Sequence, residues 1–209
     1  MNFETINKYI ADLYANKTSL TRSKYESSTE LKDFVPVVDD DVAMLLRLLL
    51  QLTCARRVLE IGTSIGYSTT SMAQVVKKYD GKIITIEFDE KVASQAQTNF
   101  KRAGVADFIE LQIGDAQVLI PQLQGDFDLI FQDVDKRLYP RLLPDCIRLL
   151  KQGGLLVAED TLFPVIDLDP EWHHLIPPIE EFNHLVANNP ELESTILPIG
   201  DGVTLAIKK

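Results

Sequence analysis

From residue 57 onward the chain alternates short apolar runs with longer helical segments, and no other feature restricts its fold as much. Arg57-Val58-Leu59-Glu60-Ile61 is an apolar run that ends at a glycine and reads as a strand. Residues 68–78 read as a helix, 82–87 as a strand, and 90–103 as a helix that Gly104 stops. The alternation continues with a strand at 108–113, a short helix at 116–123, a strand at 127–131, a helix at 139–150 and a strand at 153–158. Five strands separated by helices are βαβ units, so the sheet is mostly parallel and covered on both faces. A proline-containing irregular segment, 161–178, comes next, followed by a helix at 179–188 and strands at 193–197 and 202–207. The turn Ile199-Gly200-Asp201-Gly202 is short enough to make the last two strands an antiparallel hairpin. Ahead of residue 57 the pattern is helical. Phe3, Ile6, Ile10 and Leu13 recur at helix spacing, a polar stretch spans 18–30, and a second helix at 40–52 opens on aspartates.

This length, 209 residues, suits a single domain, with residues 1–55 as a helical cap on a core formed by 56–209. The formal net charge of -10 repels phosphate backbones and argues against a nucleic-acid partner. No stretch is long and apolar enough to imply a membrane span, and the N-terminus lacks the pattern of a signal peptide. Cys54 and Cys146 lie far apart beside apolar residues; they read as buried thiols of a reducing cytoplasm.

Glu60-Ile61-Gly62-Thr63-Ser64-Ile65-Gly66-Tyr67-Ser68 joins the first strand to its helix, at the strand end where open parallel sheets bind ligands. Two glycines admit close backbone approach, and the helix start offers free N–H groups. Glu87 ends the second strand, where a carboxylate accepts hydrogen bonds from a ribose diol. The G-x-x-x-G spacing lacks the middle glycine of a dinucleotide site, which disfavours NAD. S-adenosylmethionine has no phosphate; Glu60 supplies an acceptor for its ammonium, Ser68 and the backbone supply donors, and Glu87 supplies the diol acceptor. Gly62-Thr63-Ser64-Ile65-Gly66 also matches the G-x-S-x-G elbow of serine hydrolases, with Asp133, Asp160 and His173, His174 or His184 in triad order. Against a hydrolase, only helices precede the elbow and no oxyanion segment is present. A tight turn without a ligand is the third reading.

Several further motifs carry a family resemblance. Val58 to Thr63 with Gly66-Tyr67-Ser68, Gly114-Asp115-Ala116, Asp133-Val134-Asp135-Lys136 with Tyr139, Gly153 to Ala158, and Leu197 to Gly202 together resemble the catechol and caffeoyl-CoA O-methyltransferase family. The resemblance spans about residue 39 to the C-terminus. It implies a Rossmann-like, doubly wound, seven-stranded sheet with an antiparallel last strand. It also implies an S-adenosylmethionine site using Glu60, Gly62, Thr63, Gly66, Ser68, Glu87, Asp115, Ala116 and Asp133. It implies a divalent cation (magnesium first, manganese or calcium as alternatives), Lys136 as the catalytic lysine beside Asp133, a small phenolic acceptor, and a homodimer.

Asp133 ends the fourth strand and Glu159-Asp160 the fifth, so neighbouring parallel strands bring three carboxylates to one face, as a hard cation requires. The family usually has Asp-Asn where this chain has Glu159-Asp160. The extra charge should repel a catecholate and hold Lys136 protonated, unless Arg137 offsets it. Asp135 reads as solvent-facing. The acceptor pocket falls to the N-terminal helices and residues 161–178, where Phe163 and Trp172 are candidate stacking partners or anchors.

Overall fold

Val58, Leu59 and Ile61 are fully buried because β1 (Arg57–Ile61) lies at the centre of a seven-stranded sheet. In the computed structural model, which describes residues 3–14 and 20–209, the strands that follow are β2 (Lys82–Glu87), β3 (Ile109–Ile113), β4 (Phe127–Gln132), β5 (Leu150–Ala158), β6 (Leu192–Leu197) and β7 (Val203–Lys208). Their order is β3-β2-β1-β4-β5-β7-β6. Strands β1 to β5 pair in parallel, and β7 runs antiparallel to both β5 and β6. The sheet topology expected from the sequence is therefore present.

Helices α1 (Phe3–Tyr14), α2 (Arg22–Ser27) and α3 (Asp40–Thr53) precede β1, and α4 (Tyr67–Val76), α5 (Glu90–Arg102), α6 (Ala116–Leu119), α7 (Tyr139–Leu149) and α8 (Ile176–Ala187) follow it. Alternate residues of the central strands feed two cores. Val58, Leu129, Phe131 and Val157 pack with α3, α4 and α5. Leu59, Ile130, Leu156 and Ala158 pack with α7 and α8 on the other face. Period-2 alternation in strands covered on both sides produces this arrangement.

Four local differences from the sequence reading have physical causes. The 18–30 stretch contains α2, whose first turn is capped by the Thr21 hydroxyl accepting the Lys24 amide; residues 15–19 and the side chains of Phe3 and Ile6 lie outside the described residues. β5 starts at Leu150 rather than 153, because a register irregularity opposite Phe127–Leu129 absorbs Gly153 and Gly154. The 161–178 segment is less irregular than expected: a 3-10 turn occupies Pro170–Leu175, and α8 begins at Ile176 because Pro177 and Pro178 are tolerated in a helix's first turn. Cys54 is exposed, not buried. It caps α3 in a left-handed conformation (φ 49) beyond the helix's apolar face, whereas Cys146 is buried on α7 as expected.

Helix α3, in the expected N-terminal cap, packs into the core of the sheet. Val42, Ala43, Leu46 and Leu50 of α3 are fully buried in the same cluster as Val58 and Val157. Truncating Leu46→Ala should therefore lower the unfolding free energy by about 2–5 kcal/mol, the cost of a core cavity. Denaturant titration should read this as a shift of one transition. A shift below about 0.5 kcal/mol, the scale of surface substitutions, would show that α3 packs as an appendage.

Candidate active site

Strand order reverses between β2 and β4 around β1, so a crevice opens where β1 and β4 end. The chain leaves β1 through Gly62 (φ 97), Ser64 (φ 47) and Gly66 (φ 87). Gly62 is demanded by contact as well as by torsion: a Cβ there would lie 1.8 Å from the Asp133 carbonyl oxygen. The turn after β1 thus rests directly on the end of β4. Gly66 caps α4, and a Cβ there would meet the Phe100 ring at 2.4 Å.

Glu60 sits under this turn, fully buried. Its carboxylate accepts hydrogen bonds from the hydroxyls of Ser68 (2.6 Å), Thr85 (2.6 Å) and Thr69. Burial pushes its pKa from 4.5 up to about 7; the three hydroxyls oppose the shift and the Asp133 charge adds to it. Ser68 was expected to act as a donor to the ligand, but its proton is committed to Glu60, so its oxygen presents lone pairs instead. Thr69 and Thr85 were not singled out from the sequence; a threonine in a strand and one in a helix carry no local signal of a buried carboxylate between them.

Glu87 is half-buried and caps the same turn. Its Oε2 accepts the amides of Ser64 (2.8 Å) and Thr63 (3.3 Å), and its Oε1 accepts that of Asp89 (3.0 Å). The Thr63 hydroxyl pairs with that of Thr85 at 2.6 Å. Asp115 caps α6 through the Gln117 amide, and Ala116 is buried beside it. Gly114 donates its amide to the Glu87 carbonyl (2.8 Å), so the Gly114–Ala116 turn borders the Glu87 end of the crevice.

Across the Gly62 contact lie the acids. Asp133, Glu159 and Asp160 each offer a carboxylate oxygen within 4.8 Å of the others. The buried Lys136 ammonium donates to Asp133 (2.8 Å) and to the Tyr139 hydroxyl (3.0 Å) and pairs with Asp160 (2.8 Å). The Tyr139 hydroxyl in turn lies 2.9 Å from the Gln132 carbonyl and 3.1 Å from that of Glu159. Burial raises the pKa of Asp133, with Lys136 opposing and Asp160 adding to the shift, and raises that of Glu159, with Asp133 and Asp160 adding and Lys136 opposing. Burial acts to lower that of Lys136, but Asp133, Tyr139, Asp160 and Glu159 outweigh it and hold the ammonium well above its ordinary value. Asp41 and Asp201, which the sequence reading passed over, are also raised, by burial first; Asp160, Asp39 and Asp41 add to the shift of Asp201.

Two expectations do not survive the geometry. Arg137 does not offset the acids; it is exposed and forks onto Asp135, itself exposed. Among the described residues no hydrolase triad is seen around Ser64, whose hydroxyl donates to the Val35 carbonyl (2.8 Å), while His173 and His174 bond the Leu168 and Glu171 carbonyls of their own loop. Phe163 is a core anchor, buried among α8-side residues, and Trp172 is 45 % exposed.

Comparison with known proteins gives the chain a family. Residues 17–209 match the family described as O-methyltransferase. A catechol O-methyltransferase of Niastella koreensis is 34% identical over 217 residues, covering 99% of this chain and 98% of that protein. A caffeoyl-CoA O-methyltransferase of Eucalyptus gunnii is 31% identical and covers 92% of this chain and 84% of its own length. Among solved structures, the O-methyltransferase TomG of Streptomyces achromogenes, involved in tomaymycin synthesis and determined in complex with SAM, superposes with a TM-score of 0.81 at 26% identity, covering 98% and 96% of the two chains.

The buried Glu60 makes stability depend on pH in a defined direction. With its pKa raised from 4.5 to about 7, the folded chain retains a proton that the unfolded chain releases. Its contribution is full below pH 4.5 and is lost as pH rises through about 7, on the order of 3 kcal/mol in all. Relative to Glu60→Gln, the wild type should lose unfolding free energy between about pH 5 and 8. Denaturation curves that stay parallel across that range would show that Glu60 titrates normally.

Proposed function

The chain belongs to the O-methyltransferase family, and on that premise we propose that it moves the methyl group of S-adenosylmethionine onto a hydroxyl of a small phenolic acceptor, with a divalent cation at Asp133, Glu159 and Asp160. The contact of Gly62 with the Asp133 backbone carries this reading. It sets a turn suited to a nucleoside directly beside a three-carboxylate cluster, as transfer between two bound small molecules requires. The names of the catechol and caffeoyl-CoA relatives and the SAM bound to TomG support it.

When bound, S-adenosylmethionine supplies a methyl on a positively charged sulfur, open to displacement in line with an acceptor oxygen. The chain's part is binding and alignment, which can remove several kcal/mol of the barrier. The leading amides of α4 suit the donor's carboxylate. Ser68 Oγ, with its proton on Glu60, turns lone pairs toward the ammonium, so Glu60 acts through Ser68. Glu87 has lone pairs left for the ribose diol beyond those that take the Thr63, Ser64 and Asp89 amides. Gly62, Thr63 and Gly66 shape the turn, and Asp115 and Ala116 border the adenine edge.

Three carboxylate oxygens are a donor set for a hard divalent cation, which when bound lowers the pKa of a coordinated hydroxyl. Lys136 is held as an ammonium by the acids around it. We therefore assign it the task of balancing those acids and presenting positive charge to the acceptor oxygen, ahead of the general-base role that the resemblance implies. The Lys136–Asp160 pair favours a second reading, transfer to a non-catechol acceptor without a metal. A homodimeric state belongs to the same reading and rests on the resemblance, and a cytoplasmic location rests on the free thiols of Cys54 and Cys146.

With labelled S-adenosylmethionine and a vicinal diphenol, transfer should require added magnesium and stop on chelation. Asp133→Ala should lower the rate at least about a hundredfold. Glu87→Ala should weaken S-adenosylhomocysteine binding about tenfold or more by calorimetry. Transfer that persists in excess chelator would leave the second reading. Absence of both transfer and binding would end the proposal.

A further inference from the structure

Residues 20–38 cross the outer side of the turn after β1, and hydrogen bonds fasten them to it. Tyr25, buried, donates its hydroxyl to the Gly66 carbonyl (2.8 Å) and lies 2.8 Å from the Thr70 hydroxyl, which then serves as donor to it. Asn99 of α5 donates to the Ile65 carbonyl (3.0 Å) and to the Thr29 hydroxyl (3.1 Å). Ser64 donates to the Val35 carbonyl (2.8 Å).

Gly66 joins this turn to α4 at a left-handed φ of 87. Its carbonyl accepts the first bond of α4, from the Thr70 amide at 3.0 Å, and shares that position with Tyr25. In a planar trans peptide the carbonyl of residue 66 and the N–H of residue 67 point opposite ways. Held along α4 by the Thr70 amide and by Tyr25, the carbonyl leaves the Tyr67 N–H pointing back past the helix start, and the Ser68 and Thr69 amides follow, ahead of any intrahelical acceptor.

We propose that Tyr25 is a positioning residue for the methyl donor: by holding the Gly66 carbonyl from the outer side, it keeps the leading amides of α4 directed at the donor's carboxylate. This rests on the reading of the turn as the S-adenosylmethionine site. Tyr25 itself touches no ligand; it acts through the Gly66 peptide.

The test compares Tyr25→Phe and Thr70→Val in the full chain. Calorimetry with S-adenosylhomocysteine is paired with initial rates at varied S-adenosylmethionine and a saturating diphenol. Tyr25→Phe should weaken binding about three- to tenfold, the effect of one hydrogen bond, and raise KM for the donor by the same factor while kcat holds. Thr70→Val removes the other hydroxyl partner but leaves the Gly66 bond, so its affinity should match the wild type. Wild-type affinity in Tyr25→Phe overturns the inference, and so does equal weakening by Thr70→Val, which would mark a packing effect. A wild-type protein that takes up no S-adenosylhomocysteine overturns the donor reading and this inference together.

Discussion

A single backbone contact governs the site. Gly62 lies so close to the Asp133 carbonyl that a Cβ would overlap it, so the turn after β1 and the end of β4 behave as one piece. The groups proposed to face a donor hang from the first: Glu60 below, Ser68 and the amides of α4 ahead, Glu87 alongside. The groups proposed to face an acceptor hang from the second: Asp133, Lys136 three residues on, and Glu159-Asp160 at the end of the neighbouring strand. Parallel β1–β4 pairing sets the two ends level, with Ile61 opposite Gln132. On the proposed reading, the two bound molecules would meet at a place fixed by the sheet.

Charge in this region is carried in two different ways. Glu60 is buried among neutral hydroxyls, which satisfy its oxygens without supplying a counter-charge, and its pKa rises accordingly. On the other side of the Gly62 contact, one ammonium faces three carboxylates. Replacing the usual Asp-Asn by Glu159-Asp160 adds one negative charge where the relatives implied by the resemblance carry an amide. At an effective dielectric near 20, two unit charges about 4 Å apart interact by roughly 4 kcal/mol, so the added charge matters to whatever binds. It strengthens attraction for a cation and weakens it for an ionised acceptor.

Much of this was legible in the sequence, and the rest was hidden for identifiable reasons. Strand and helix order followed from periodicity, because buried parallel strands must read as apolar runs. The Asp133, Glu159 and Asp160 cluster followed from their places at the ends of adjacent strands. The hydroxyl cage around Glu60 did not, because Thr69 and Thr85 come from different elements and single threonines have no pattern. Arg137 was misjudged because its nearest acid, Asp135, lies two residues away and captures it. Cys54 was misjudged because apolar neighbours in sequence do not decide which side of a helix end a residue faces. The strap at 20–38 was missed altogether, since its hold on the turn consists of hydrogen bonds between segments some forty residues apart.

The most direct test of a donor and an acceptor site joined at the Gly62–Asp133 contact is a crystal structure with S-adenosylhomocysteine and manganese, with the metal located by anomalous scattering. The account predicts the nucleoside at Glu87, the methionine end at Ser68 and the start of α4, and an anomalous peak among Asp133, Glu159 and Asp160. A ligand seated away from the turn, or a peak absent from those three carboxylates with Lys136 still bridging Asp133 and Asp160, would contradict it.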